Sequence, residues 1–313
     1  MKEYLQENQP KFYNLIKNEF IQNKIPHAFL LVGNNTKVPL NYLAMSLICD
    51  KTLACEKCND CRKVLENKYG DIIRYDGKET SIKKGDIEYI QDTFKKSSLE
   101  GKAKIYIIEN IESATKEAMN TLLKMLEEPT SGIYAIFTTN NISRVLPTIL
   151  SRCQVIDIKP DSKEVIYKAL IKSNIPEEAA KILTYLSASE EEAKNLYDER
   201  FEYMQTEVIN FIEDLYTKRM NLIINVQTNL LKNYKERDDI KLFLNMLVLA
   251  MKDMFHVKHN QNLVFSAHYD FFNSLQIDEN KLIKQIEIIL EPIYTIESNA
   301  NLLMLIDSMM YRL

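Results

Sequence analysis

The sequence has few residues that break regular structure: 6 glycines and 8 prolines in 313 residues. Because these residue types dominate tight turns, their scarcity favours long helices over a chain rich in turns. No apolar run reaches the roughly 18 residues that span a bilayer, and the first residues, MKEYLQENQPKFYNL, are too polar for a secretory signal. These absences predict a soluble, cytoplasmic protein with no membrane partner.

The charge balance argues against one class of function. The net charge is -4 and the sequence pI about 5.8, whereas a protein that grips nucleic acid alone has a strong basic bias. Any work at DNA would therefore depend on other subunits for most of the positive field. The hydrophobic share of 46% and the charged share of 27% are ordinary for a globular protein.

The first 160 residues alternate between short apolar runs and helical patterns. Apolar runs of this kind predict strands covered on both faces, and their alternation with helices predicts a parallel sheet with right-handed crossovers. Ser113 is the predicted N-cap of the third helix, and Pro129 stops that helix. The predicted strands span residues 28–33, 71–75, 105–108, 134–138 and 155–158. The predicted helices span residues 40–49, 85–96, 113–127 and 143–150.

After Pro160 the strand signal fades and helical patterns continue to the last residue. Residues 161–202 predict a small helical domain, and residues 203–313 predict a larger one. The larger domain contains amphipathic patterns over 207–227 and 280–290, with breaks at 260–262 and Pro292. The sequence therefore predicts an α/β domain over residues 1–160 followed by two helical domains.

The turn after the first strand is where a P-loop protein would hold nucleotide phosphates. That motif, GxxxxGK[ST], uses glycines to wrap the phosphates, a Lys to reach them and a hydroxyl to hold Mg²⁺. Here Gly33 and Lys37 are two residues too close together, and Thr36 precedes the Lys. Val38 cannot ligate Mg²⁺, and Pro39 removes a backbone donor. The turn is a degenerate P-loop, and no ATP is expected in it.

The end of the third strand is degraded as well. An ATPase needs an acidic pair there, one residue near the metal and one to polarise water. This strand ends in Glu109 and Asn110, and an amide cannot act as a general base. With both halves of the machinery degraded in one chain, the sequence predicts a protein that does not hydrolyse ATP itself.

Four of the five cysteines form the pattern C-x5-C-x2-C-x2-C, with Cys153 apart from them. Short spacings let thiolates converge on one ion, and four thiolates suit tetrahedral zinc in a structural site. An iron–sulfur cluster is an alternative, although the usual spacing before a Pro is absent, and chance clustering of buried thiols is another. The candidate ligands are Cys49, Cys55, Cys58 and Cys61.

Several segments in order resemble the bacterial clamp-loader branch of the AAA+ family, represented by subunits of DNA polymerase III. The first strand, PHAFLLVG, is similar to the family's first-strand signature. NTLLKMLEEP resembles its long helix with a Glu-Glu-Pro end, and FTTN followed by LPTILSRC resembles its sensor-1 strand and Ser-Arg-Cys motif. The cysteine cluster, at about residues 49–61, lies where the family carries a zinc module. These matches cover residues 1–160.

The resemblance implies an architecture and partners. The first domain would be a RecA-like AAA+ domain with a P-loop NTPase-type sheet, residues 161–202 its lid, and residues 203–313 part of a collar. The chain would join gamma or tau motor subunits and a delta subunit in a five-subunit ring. That ring places the sliding clamp on primed DNA, so this chain would reach clamp and DNA mainly through the complex and would be part of the polymerase holoenzyme.

Within the resemblance, Arg152 is the main candidate for function. The family's Ser-Arg-Cys Arg points across a subunit interface at the neighbour's ATP, where it stabilises charge on the γ-phosphate. Arg152 would be such an arginine finger in trans, with Ser151 orienting its loop. Two other readings stay open: a motor subunit with a divergent P-loop, which would bind ATP, and a zinc-dependent DNA-binding module, which would bind DNA alone with strong salt dependence.

Overall fold

The computed structural model describes residues 1–78, 80–96, 98–217, 226, 233–234, 236–275, 277–296 and 301–313. The chain divides into two compact units, Met1–Asp161 and Ser162–Leu313. The first contains the sheet and the second is helical. The further division of residues 161–313 into a lid and a collar stays a prediction.

The first unit is built on a five-stranded sheet in the order β2-β3-β4-β1-β5, in which every described pair of strands is parallel. The five predicted strands form, and no bound differs by more than one residue. The strands are β1 Ala28–Val32, β2 Ile72–Asp76, β3 Lys104–Glu109, β4 Ile133–Thr139 and β5 Gln154–Asp157.

Seven α-helices form among the described residues of this unit. Three of them, α1, α2 and α4, lie where the sequence analysis predicted no element. The predicted N-cap Ser113 is wrong: it lies in a short 3₁₀ turn, and the Thr115 hydroxyl accepts the Ala118 N–H at the start of α6. The helices are α1 Lys2–Asn8, α2 Pro10–Ile21, α3 Lys37–Ile48, α4 Asn59–Leu65, α5 Lys84–Phe94, α6 Lys116–Glu127 and α7 Pro147–Leu150.

Alternate side chains of each strand point to opposite faces of the sheet. In β1, Phe29 and Leu31 belong to the core beneath α1 to α4. Ala28 and Leu30 belong to the core beneath α5 to α7. Because both faces are covered, the strands are unbroken apolar runs in the sequence. Because the strands are parallel, their carboxyl ends meet at one edge of the sheet, where ligands bind in folds of this type.

The second unit is helical, with one hydrophobic cluster through its described helices. The predicted break at Pro292 is wrong, because Pro292 lies inside the last helical turns of α14 and removes only one backbone donor there. The predicted helix over 207–227 is described as far as Thr217, and of its remaining residues 218–225 and 227 lie outside the described part of the chain. The helices are α8 Lys163–Lys172, α9 Glu177–Leu186, α10 Glu190–Leu196, α11 Glu199–Thr217, α12 Arg237–Lys258, α13 Tyr269–Ser274, α14 Glu279–Thr295 and α15 Leu302–Arg312.

Among the helices the structure describes, none is both long and apolar enough to cross a membrane.

Candidate functional site

The turn between β1 and α3 is tightly packed against the end of the sheet. Gly33 has φ +135°, and its N–H donates to the Thr139 carbonyl at 2.9 Å. A Cβ at Gly33 would lie 2.4 Å from the Ile158 carbonyl oxygen, which is shorter than any normal contact. Gly33 is therefore required by the approach of the backbone at Ile158, a reason independent of any phosphate.

The same turn is closed by side chains from both ends of the first unit. The Asn35 amide donates to the Tyr4 hydroxyl at 2.8 Å and to the Asp161 carboxylate at 3.0 Å, and the Tyr4 hydroxyl donates to Asp161. Asn35 and Asp161 are 5% and 7% exposed. A carboxylate buried against this turn repels phosphate, because like charges interact strongly away from water.

The ends of β3 and β4 form a hydrogen-bonded group of their own. The Asn110 amide donates to the Asp76 carboxylate at 2.8 Å, and its backbone N–H donates to the Thr138 hydroxyl at 3.0 Å. Burial raises the pKa of Glu109, against the attraction of Arg74 and Lys37. Asn110 is thus already committed to a neighbouring carboxylate.

The sensor-1 position follows β4. Thr139 is fully buried, and its hydroxyl accepts the Asn141 N–H at 3.1 Å. The Asn140 N–H donates to the Glu112 carboxylate at 3.1 Å, and the Asn140 side-chain amide donates to Asn110 Oδ1 at 3.4 Å. These contacts tie the ends of β3 and β4 together.

Arg152 follows α7 and lies at the surface of the unit. Its guanidinium Nη1 donates to the Thr148 carbonyl at 2.8 Å and to the Ser151 hydroxyl at 3.3 Å, and Nη2 donates to Glu127 at 2.8 Å. The side chain keeps 32% of its surface exposed. Ser151 also donates to the Thr148 carbonyl at 3.0 Å, so both candidates of the Ser-Arg-Cys motif share one backbone carbonyl. Cys153 is shielded, and burial raises the pKa of its thiol to about 12.

The four clustered cysteines converge, with Sγ atoms within 4.8 Å of one another. Cys49 and Cys58 are 4.0 Å apart at Sγ, as are Cys55 and Cys61. Tetrahedral ligation at 2.3 Å requires S···S distances of about 3.8 Å. The structure thus brings together all four predicted ligands, Cys49 included, in an arrangement that could hold a metal ion.

The surroundings of the thiols also fit a metal. The Cys58 N–H lies 3.3 Å from Cys55 Sγ, and the Cys61 N–H lies 3.4 Å from Cys58 Sγ. Backbone N–H groups of Lys57 and Cys58 lower the pKa of Cys55 to about 6, which favours the thiolate that ligates metal. Burial raises the pKa of Cys61, so a cation is what would keep this fourth donor ionised.

Ion pairs and hydrogen bonds attach the cysteine module to the rest of the unit. Lys102 bridges Asp50 and Asp60, which lie near the two ends of the cysteine module, residues 49–61. Glu56, at φ +61°, accepts the Lys2 N–H at 2.7 Å. The module is therefore connected to the loop before β3 and to the start of α1.

Sequence reasoning missed Tyr4, Asp161 and Glu127. Tyr4 and Asp161 are separated by 157 positions, and no local pattern marks two residues at opposite ends of a domain as partners. Glu127 lies within the NTLLKMLEEP segment that was recognised, but its pairing with Arg152 depends on how α6 and α7 meet.

Comparisons with known proteins find relatives of this chain among the subunits of DNA polymerase III. A family profile described as DNA polymerase III, delta subunit, matches residues 8–162. The DNA polymerase III subunit delta' of Bacillus subtilis is 29% identical over 95% of this chain and 93% of its own. The DNA polymerase III subunit gamma of Buchnera aphidicola (subsp. Schizaphis graminum) is 32% identical over 58% of this chain and 54% of its own.

The fold has a solved counterpart. A crystal structure of a DNA polymerase III gamma subunit-related protein from Thermotoga maritima aligns over 96% of this chain and 97% of its own, with 14% identity and a TM-score of 0.51. The predicted fold class, an AAA+ α/β domain followed by helical regions, is confirmed. The profile and these relatives make the chain similar to subunits of DNA polymerase III. A similarity that spans nearly its full length is to delta'.

Proposed function

We propose that the chain acts as a delta'-type subunit of a bacterial clamp loader, helping to place the sliding clamp on primed DNA without hydrolysing ATP. It would assemble with gamma or tau motor subunits and a delta subunit in a five-subunit ring within the polymerase III holoenzyme. Clamp and DNA contacts would run mainly through the complex, in line with a net charge of -4.

Closure of the turn after β1 supports the inactive role. Asn35, Tyr4 and Asp161 bond to one another where a phosphate would need open N–H groups. Breaking this group to admit ATP would leave buried polar atoms unpaired, at a cost of about 1–3 kcal/mol for each. The binding of a triphosphate would have to overcome that cost together with the charge of Asp161.

The observation that carries the proposal is the exposure of Arg152 in a chain whose own phosphate turn is closed. A guanidinium that remains 32% exposed has donors to offer another molecule. Arg152 would act in trans on the ATP of a neighbouring motor subunit, stabilising charge that develops on the γ-phosphate. Ser151 would support it through the Thr148 carbonyl that both side chains contact.

Reconstitution with motor subunits, delta, clamp and primed DNA tests this function. Arg152→Ala should leave assembly intact and slow hydrolysis at the adjoining motor site by at least about 100-fold. The amplitude of single-turnover ATP hydrolysis should fall by the contribution of one motor site, and clamp loading should slow. Arg144→Ala is the matched control, because Arg144 is another exposed arginine just before α7. Unchanged hydrolysis and loading in Arg152→Ala would refute the arginine finger.

The metal is proposed to be zinc in a structural role, held by Cys49, Cys55, Cys58 and Cys61. Four thiolates fill all tetrahedral positions and leave none for substrate. Elemental analysis should find one zinc per purified chain, also in Cys153→Ala, and clearly less in Cys55→Ser. An iron–sulfur cluster would instead give iron and visible absorption, and an absence of metal would leave only clustered thiols.

The alternative hypothesis is an ATP-hydrolysing motor subunit. One observation favours it, the 32% identity to a gamma subunit over 58% of this chain. Titration of the isolated chain with a fluorescent ATP analogue separates the two readings. The delta'-type role predicts no saturable binding at micromolar nucleotide. Micromolar affinity, with hydrolysis, would favour the motor.

A further inference from the structure

Arg152 is held by a carboxylate from a different helix. Its Nη2 donates to Glu127, the last residue of α6, at 2.8 Å, across 25 positions of sequence. On its own segment, the guanidinium contacts only the Thr148 carbonyl and the Ser151 hydroxyl. Glu127 is therefore the one acidic side chain that fixes the Arg152 guanidinium among the residues the structure describes.

The position of Glu127 is set by the rigid end of α6. Thr115 caps the start of this helix, and Leu122 and Leu126 anchor it in the core beneath α5 to α7. Leu126 immediately precedes Glu127, and Pro129 prevents the helix from continuing. Ile149 of α7 is buried in the same core, so both ends of the ion pair rest on packed elements.

The contacts leave part of the guanidinium available. A guanidinium carries five N–H donors, and the bonds from Nη1 and Nη2 use three of them. The Nε–H group and the second hydrogen of Nη2 have no partner among the described residues. The plane of the guanidinium is thus set by Glu127 and Thr148, while donors remain for an anion.

We propose that Glu127 is a positioning residue for Arg152, fixing the guanidinium for the γ-phosphate of a neighbouring subunit's ATP. This inference rests on the proposed function of Arg152. An ion pair that is 32% and 50% exposed is weak, so it biases the side-chain rotamers of Arg152 by up to about fivefold and does not lock them. Arg152 can then shift toward phosphate on assembly, starting from an oriented state.

The test uses the reconstituted loader with Glu127→Ala, Glu127→Asp and a matched control, Glu128→Ala. Glu128 is the next residue and is also exposed and acidic. Among the contacts that the structure describes, Glu128 makes none with Arg152. In Glu127→Ala, kcat at the adjoining motor site should fall about three- to fivefold with KM for ATP unchanged, because only orientation in the transition state is lost. Glu127→Asp should recover part of the rate, and Glu128→Ala should match the wild type.

A double-mutant cycle separates this role from a structural one. In an Arg152→Ala background, Glu127→Ala should have no further effect on kcat, because the group that it orients is absent. An equal fall in both backgrounds would overturn the proposal, as would a kcat for Glu127→Ala that is unchanged or raised. If Arg152→Ala itself has no effect, the arginine finger fails, and that failure is seen independently of Glu127.

Discussion

Two segments at the edge of the sheet, residues 33–39 and residues 146–153, have opposite relations to their surroundings. The first is closed by the unit's own hydrogen bonds through Asn35, with Thr36 buried behind them. The second keeps Arg152 at the surface. Each segment is held by different contacts, so closure of the first does not prevent the second from keeping at the surface the arginine that we propose acts on another subunit. The difference also predicts how strongly each region contributes to stability.

The largest effect should follow removal of the proposed zinc from the four clustered cysteines. A ligand that binds only the folded state at a thousand times its Kd stabilises that state by about 4 kcal/mol. Chelation should therefore lower the free energy of unfolding of the first unit by about this amount, as measured by urea denaturation with circular dichroism. Cys153→Ala should show the same chelator response, and a chelator without effect on the wild type would contradict a structural metal.

Gly33→Ala should be the next most damaging change. The new Cβ would lie 2.4 Å from the Ile158 carbonyl oxygen at φ +135°, so steric overlap adds to backbone strain and the loss should be about 3 kcal/mol. Gly132→Ala is the matched control, because Gly132 has φ +80° but no atom within 4 Å of its Cβ position. It should lose only about 1 kcal/mol. Equal losses would show that strain, and not the approach of Ile158, explains Gly33.

Asp71 predicts an acid-dependent loss of stability. Burial opposes its charge, but N–H groups of Leu99 and Glu100 and the Ser98 hydroxyl hold its pKa below the usual value. A lowered pKa gives stability that is complete above the unfolded value, about 3.9, and is lost as pH falls through the folded value.

Asp71→Asn should therefore cost about 1 kcal/mol at pH 7. It should lose less stability than the wild type between about pH 4 and about pH 2, as followed by urea denaturation at each pH. Asp92→Asn removes only an exposed partner of Lys95 and should follow the wild-type curve. A parallel response of wild type and Asp71→Asn would exclude this carboxylate as a source of the acid sensitivity.

The smallest effect on stability should come from Arg152→Ala. Its ion pair with Glu127 is partly exposed, and pairs of this kind contribute about 0.5 kcal/mol. The same substitution should nonetheless give the largest loss of partner hydrolysis, so stability and activity should separate at this residue. A loss above about 2 kcal/mol would indicate a structural arginine and remove the contrast with residues 33–39.

The sequence predicted the sheet well because its strands are covered on both faces. Unbroken runs such as 105–108 mark buried strands without any knowledge of their partners. It located four cysteines by spacing alone. It did not predict α1, whose pattern is short. The predicted helix over 143–150 is wrong in its extent, because only a 3₁₀ turn at Ile142–Arg144 and the four residues of α7 form there.

What could not be predicted depends on distant contacts. The degenerate turn was identified from missing residues, yet its closure needs Tyr4 and Asp161, which meet only after the whole unit has folded. Glu127 and Arg152 likewise meet through the packing of two helices. Spacing finds groups that are neighbours in sequence, whereas these pairs are created by topology.

Helix α1 spans only seven residues, yet it connects two otherwise separate features. At its start the Lys2 N–H donates to Glu56 beside the cysteines, and two residues later the Tyr4 hydroxyl contacts Asn35 and Asp161. Because the helix is so short, a loss of contacts at one end should weaken the contacts at the other. Amide hydrogen exchange at residues 34–36 would then report on whether the distant cysteines hold a metal ion.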